Sequence, residues 1–192
     1  MKTVCFTGRR PKDLCGYKWT NYKEFQEKFV DFLETLYSQG VRKFITGGAQ
    51  GFDQMSFWAV NTLKERHTDV QNVVYCPFRN QADAWKGKTS DAFSKEEYNK
   101  MLQVADLVVY TTDATLKQYP SIVKALYHRN HRMVMDSDYV VALFPSDDWN
   151  VVKGGTAECM RYANSVNKQI HQIKYHITDN NTLSFDTVSI LN

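Results

Sequence analysis

The sequence predicts an α/β domain built on an open, mainly parallel β-sheet with helices on both faces and a small β-prone C-terminal tail. Three observations lead there. Apolar runs at residues 2–7, 41–46, 72–78, 106–111 and 138–144 alternate with segments whose apolar positions recur every three to four residues. Strands covered on both faces read as continuous apolar runs, and their alternation with helices is the pattern of a parallel sheet. Three of these runs lead into glycine-bearing turns: Gly8-Arg9-Arg10-Pro11, Gly47-Gly48-Ala49-Gln50-Gly51-Phe52-Asp53 and, after a short polar loop, Gly154-Gly155-Thr156. Finally, the 192 residues are 43% hydrophobic and 23% charged, enough for one globular domain with a substantial core.

The elements follow in order. A strand at 2–7 is succeeded by a helix over 21–39, with Phe25, Phe29, Phe32, Leu33 and Leu36 on one face and Gly40 placed to end it. The strand at 41–46 precedes a helix over 52–66, whose inward face is Met55, Ala59, Val60 and Leu63. The β-branched run at 72–78 is a strand closed by Pro77. Residues 79–94, with Trp85 and Gly87, have loop composition and the length of a binding loop or lid. A helix over 95–104, a strand at 106–111, a helix over 121–130 beginning after Pro120, and an apolar strand at 138–144 come next. The last elements are a helix over 154–166 and a strand of mixed character at 169–175. Residues 1–175 are expected to form the domain and 176–192 an extension of it. In that extension Asp179-Asn180-Asn181 is a turn between two β-prone runs, either a hairpin on the sheet edge or a partner contact.

Composition removes several classes of function. No stretch approaches the ~20 apolar residues of a membrane span, and the N-terminal strand leaves no room for a signal-peptide core. Cys5, Cys15, Cys76 and Cys159 lack Cys-x-x-Cys spacing and read as reduced thiols, so a cytoplasmic location is expected. His128 and His131 lie three apart but have no evident third ligand, so no metal or other cofactor is predicted. A net charge of +3, with Lys and Arg scattered, argues against a nucleic-acid partner.

In a parallel sheet the loops at the strand carboxyl ends share one rim, where ligands bind. Glycine permits close backbone approach, and a following helix N-terminus presents unpaired N–H groups and a favourable dipole to an anion. The three turns together therefore point to a phosphate-bearing ligand. Gly47, Gly48, Ala49 and Gly51 would wrap a phosphate, and Asp53 would cap the helix or bond a ribose hydroxyl. Arg9 and Arg10 suit a bidentate phosphate clamp. Gly154, Gly155 and Thr156 offer N–H groups and a hydroxyl at a helix start. Tyr17, Trp19 and Trp85 are available to stack on a base or to pack in the ordinary way. Bulk at Gly48 or Gly155 should block the ligand and spare the fold.

Four motifs, in order, carry a family resemblance: Thr7-Gly8-Arg9-Arg10-Pro11 with Leu14 and Gly16-Tyr17; Thr46-Gly47-Gly48-Ala49-x-Gly51-Phe52-Asp53; Arg129-Asn130-x-x-Met133-Val134-x-Asp136-Ser137-Asp138; and Gly154-Gly155-Thr156. Over about residues 1–170 the chain resembles the YpsA-like branch of the SLOG superfamily. That Rossmann-like group includes the LOG phosphoribohydrolases and the DNA-processing protein DprA. The resemblance implies a crevice for nucleotides or nucleotide-derived molecules and a tendency to form homodimers or higher homo-oligomers. It also assigns Arg129-Asn130 to the family pattern, with Asn130 at a helix end in a left-handed turn. Asp136, Ser137 and Asp138 would then organise the start of the next strand.

LOG enzymes carry Gly-Gly-x-Gly-Thr with a glutamate three residues on, whereas here that position is Cys159 and Glu158 falls one residue early. One residue turns a helical side chain by about 100°. N-glycoside cleavage needs a carboxylate near the ribose. Asp53 and Glu158 are the candidates for it, and binding is better supported than catalysis. The leading expectation is a sensor or sequestering protein for an ADP-ribose-like, NAD-derived or cyclic nucleotide. A nucleoside-phosphate N-glycosidase is the second, and a DprA-like single-stranded DNA module the third.

Overall fold

The computed structural model describes residues 1–85, 92–112 and 121–191. Its seven strands are β1 (Lys2–Gly8), β2 (Val41–Thr46), β3 (Gln71–Cys76), β4 (Leu107–Tyr110), β5 (Tyr139–Leu143), β6 (Gln169–Ile177) and β7 (Leu183–Leu191). They form one sheet in the order β4-β3-β2-β1-β5-β6-β7, parallel from β4 to β6, with β7 antiparallel to β6. Among the described residues the helices are α1 (Lys23–Ser38), α2 (Phe52–Arg66), α3 (Lys95–Val104), α4 (Ile122–Met135) and α5 (Gly155–Ser165).

Successive side chains of a strand point to opposite faces, and β1 shows the result. Val4 and Phe6 enter one core with α1 and α2, while Cys5 enters the other with α4 and α5. The first core is aromatic. Phe6, Phe29 and Phe52 meet pairwise with ring centroids 5.3–6.1 Å apart, all edge to face. Each fully buried ring of this kind stabilises the fold by roughly 1.5–3 kcal/mol. All four cysteines are buried and unpaired.

The tail is a hairpin on the sheet edge. Asn181 takes the left-handed conformation at the turn, Thr178 N–H donates to the Thr182 carbonyl, and Phe185 lies 5.2 Å from Phe25 of α1. The helix expected to stop at Asn130 instead runs to Met135. Its buried face continues from Ala125 and Arg129 to Met133 and Val134, with no glycine or proline to interrupt it. Asn130 is therefore helical, and the left-handed turn expected there does not exist. Ser121 caps α4, its hydroxyl accepting from Lys124 N–H at 3.4 Å; Pro120 lies outside the described residues. So does much of the expected lid, including Gly87, while Trp85 packs edge to face on Tyr98.

The start of β5 is organised by the three residues expected to do so. The Asp138 carboxylate accepts from Thr3 N–H at 2.6 Å, and Asp138 N–H donates to the Thr3 carbonyl. Ser137 donates to the Val134 carbonyl, and Asp136 accepts from Tyr75 and Arg132, each at 2.7 Å.

A cationic cleft at the point where the sheet reverses

The chain winds outward from β1 through β2 and β3 to β4, then returns to place β5 on the other side of β1. Such a reversal opens a crevice at the carboxyl ends of the two central strands. The crevice is present as a cleft of about 320 Å³ above Thr7, Gly8 and the β5–α5 loop. Ala49 and Asp53 of the second glycine turn, residues 123–130 of α4 in part, and Gly154, Gly155 and Thr156 complete it.

Four cations line this cleft, Arg9, Arg10, Lys12 and Arg129, against two carboxylates, Asp13 and Asp53. Arg129 is the unusual one, because it occupies the core-facing stripe of α4 and is only 3% exposed. One of its terminal nitrogens lies 3.7 Å from Asp53 Oδ2 and donates to the Tyr75 carbonyl at 3.4 Å. Its Nε–H is buried with no partner among the described residues, and the same is true of Arg9 Nε–H. Arg9 lies over the Phe144 ring at 5.5 Å and approaches Asp13 no closer than 3.9 Å. Burial lowers the pKa of Arg10, and the nearby Asp53 charge opposes that shift.

Beside Arg9 lies Gly154, the N-cap of α5, whose φ of +133° suits only glycine. Gly154, the N-cap residue, has no side chain with which to cap α5. The N–H groups of its first turn thus lack intrahelical partners and carry the positive end of the helix dipole. A Cβ on Gly155 would meet open space. Helix-start N–H groups and guanidinium groups lining one cleft form an arrangement suited to a phosphate or carboxylate.

The second glycine turn is different. Its carboxylate comes from within: Asp53, 7% exposed, accepts from Ala49 N–H at 3.2 Å and from Gly47 N–H. Burial pushes the Asp53 pKa up, with Arg129 and Arg10 pulling it back. Gly47, Gly48 and Gly51 do not line the cleft. A Cβ on Gly47 would overlap the Arg129 guanidinium, and one on Gly48 would lie 2.9 Å from Met101 and 3.0 Å from Tyr98. At Gly51 it would overlap the Arg9 carbonyl, which accepts a hydrogen bond from Phe52 N–H. These glycines let two loops and three side chains, Arg129, Met101 and Tyr98, pack together, and Gly48 has a φ of +66°, so bulk there is expected to disturb the fold and not to spare it.

Of the predicted site residues, the cleft gathers Gly8, Arg9, Arg10, Ala49, Asp53, Asn130, Gly154, Gly155 and Thr156. Glu158 is not among them; it pairs with His131 at 2.5 Å, on whose other side Tyr162 stacks at 3.6 Å. His131 is thus bonded to a side chain, while His128 is exposed. Trp19 packs on Phe93 and Trp85 on Tyr98, and neither they nor Tyr17 line the cleft. Lys12, Asp13, Val123, Leu126 and Tyr127 line it without having been singled out. For Arg129 a signal was present, since an arginine at a core position of an amphipathic stripe needs a buried partner.

The sequence model YpsA, described as the YspA SLOG family, matches residues 4–177. The chain belongs to that family. It is 31% identical over 150 residues to the uncharacterized SPbeta prophage-derived protein YoqJ of Bacillus subtilis, covering 73% of this chain and 80% of that one. To the UPF0398 protein BH1768 of Halalkalibacterium halodurans it is 25% identical over 149 residues, 77% of this chain and 74% of the relative. Among solved structures it is similar to DNA processing protein A of Helicobacter pylori, described for its single-stranded DNA binding mode. The TM-score is 0.54 at 16% identity, over 89% of this chain and 64% of that one. At that identity the likeness speaks to the fold of this family member. Among the described residues no helix is long and apolar enough to cross a membrane.

Proposed function

We propose that the cleft binds a nucleotide-derived, phosphate-bearing small molecule, such as an ADP-ribose-like, NAD-derived or cyclic nucleotide, and that the protein acts as its sensor or sequestering partner. The observation that carries this reading is the convergence of Arg9, Arg10, Lys12 and Arg129 on one cleft that also holds the start of α5, whose N-cap is a glycine. Guanidinium–phosphate hydrogen bonds are charge-assisted and roughly twice as strong as neutral ones, and the helix start adds backbone N–H groups to them. Binding without fast turnover is favoured because both candidate carboxylates are engaged. Asp53 holds two backbone N–H groups beside Arg129, and Glu158 holds His131 outside the cleft through Oε1, while its Oε2 is buried with no partner among the described residues. Misplacing a general acid or base costs factors of ~10² to 10⁴ in rate.

A second reading has an observation of its own. The Helicobacter pylori protein of similar fold is described as binding single-stranded DNA, which weakens the argument from net charge against a nucleic-acid partner. Phosphates of a single strand would use the same cations. Calorimetric titration with AMP, ADP-ribose, NAD and an oligothymidylate tests both readings, with chromatography of each mixture after incubation. The expected result is saturable binding of a small nucleotide, recovered intact. Binding of the oligonucleotide alone would favour the nucleic-acid reading. Steady release of free base, lost in Asp53→Ala, would make the protein an N-glycosidase.

A further inference from the structure

The cleft has a second kind of wall. Val123, Leu126, Tyr127 and Asn130 stand at i, i+3, i+4 and i+7 on α4, and all four line it. That spacing places them on one stripe of the helix. The stripe is separate from the core-facing one of Ala125, Arg129 and Met133. Val123 is 56% exposed, and Leu126 and Tyr127 are half-buried. Three apolar side chains thus form the side of a polar cleft without contributing a buried core face. A lone exposed valine means nothing, because most protein surface is apolar. A continuous apolar stripe leading toward a group of cations has a direction.

From this direction we infer that the α4 stripe is the seat of a nucleobase, and that it selects nucleoside phosphates over sugar phosphates and inorganic phosphate. The inference rests on the reading of the cationic end as a phosphate site. Inorganic phosphate or a sugar phosphate would satisfy the guanidinium groups and leave the wall in water. A base covers the wall, with Tyr127 offering a ring face or edge. Asn130 adjoins Arg129 in sequence and carries both an amide donor and a carbonyl acceptor, as reading a base edge or a ribose hydroxyl requires. Covering roughly 50 Å² of apolar surface at about 25 cal/mol per Å² corresponds to about a tenfold gain in affinity.

The test is calorimetric titration of the full chain with AMP, ribose 5-phosphate and inorganic phosphate, repeated for Val123→Ser and Leu126→Gln. Circular dichroism establishes that each variant is folded, and the exposed Val123 position carries the test if Leu126→Gln is not. AMP is expected to bind about tenfold tighter than ribose 5-phosphate, with the ratio falling to about threefold or less in the variants. Ribose 5-phosphate affinity should change less than about twofold. Equal affinities in the wild type, or a ratio unchanged in folded variants, would overturn the α4 seat and leave the phosphate reading standing. If none of the three binds at millimolar concentration, the phosphate reading fails and the base seat falls with it.

Discussion

The second and third glycine turns are alike as strings and opposite as structures. Both follow a strand of the parallel sheet and lead into a helix, α2 or α5. In the second, an internal carboxylate, Asp53, already occupies the N–H groups of Ala49 and Gly47, and every glycine faces a neighbour that a Cβ would crowd. In the third, the helix start is uncapped and the space beyond Gly155 is open. Glycine after a strand thus marks close approach of something to the backbone. Whether that something is the protein itself or a ligand depends on where the nearest acidic side chain falls. Asp53 sits in the first turn of α2, where it reaches back to the loop, whereas Glu158 points away to His131.

The most severe way to break this comparison is at Gly51. Its φ of +93° and the overlap of a Cβ with the Arg9 carbonyl combine strain with overpacking. Gly51→Val should lower unfolding free energy by roughly 2–5 kcal/mol, measured by urea denaturation. A stability loss below ~1 kcal/mol would show that the second turn has more slack than its packing implies.

At the third turn the effect should appear in binding instead. Gly155→Leu places a side chain in the cleft without backbone strain, and leucine is the better helix former. Stability should shift by less than ~1 kcal/mol, while affinity for the phosphate ligand falls at least about tenfold. Unchanged affinity in the folded variant would make the third turn as structural as the second.

The internal carboxylate predicts a pH signature for the second turn. Burial is the largest influence on Asp53 and raises its pKa, partly offset by Arg129 and Arg10. A carboxyl that titrates higher in the folded state binds more protons there across the interval between the two pKa values. Stability therefore falls as pH rises from about 3.9, the unfolded value, through the folded one. Asp53→Asn removes this contribution, so its stability relative to wild type should improve over that window in urea unfolding at stepped pH. An opposite slope would mean that Arg129 and Arg10 outweigh burial and hold Asp53 ionised.

These contrasts also explain what was legible beforehand. The strands of the sheet and their shared rim could be read because apolar runs and glycine turns are local patterns. The extension of α4 past Asn130 is hidden by the family motif at Arg129-Asn130, which reads as a helix end, although Met133 and Val134 keep the helical period. Gly8, Arg9 and Gly155 were identifiable as cleft residues from their place after strands. The distinction between Gly48 and Gly155 was not, because Met101 and Tyr98 approach Gly48 from a helix some fifty residues away, α3. Lys12 and Asp13 sit in a turn with no periodicity to announce them, and Val123 looks like any exposed valine until the helix is turned toward the cleft.

The smallest effect is expected at Glu158, the third turn's own acidic residue. Its carboxylate is paired with His131, and the pair ties α5 to α4 on the flank of the cleft. His131 is about a third exposed, so solvent screens the pair and its contribution to stability should be ~1 kcal/mol or less. Glu158→Gln keeps the shape and a hydrogen-bonding oxygen while removing the charge. Nucleotide affinity should stay within about twofold of wild type. No change is expected in any release of free base from nucleoside monophosphates, followed by chromatography. If wild type releases base and Glu158→Gln does not, the one-residue displacement of this glutamate is no obstacle to chemistry. The third turn would then be a catalytic element, and the contrast with the second turn would lie between a structural carboxylate and a reacting one.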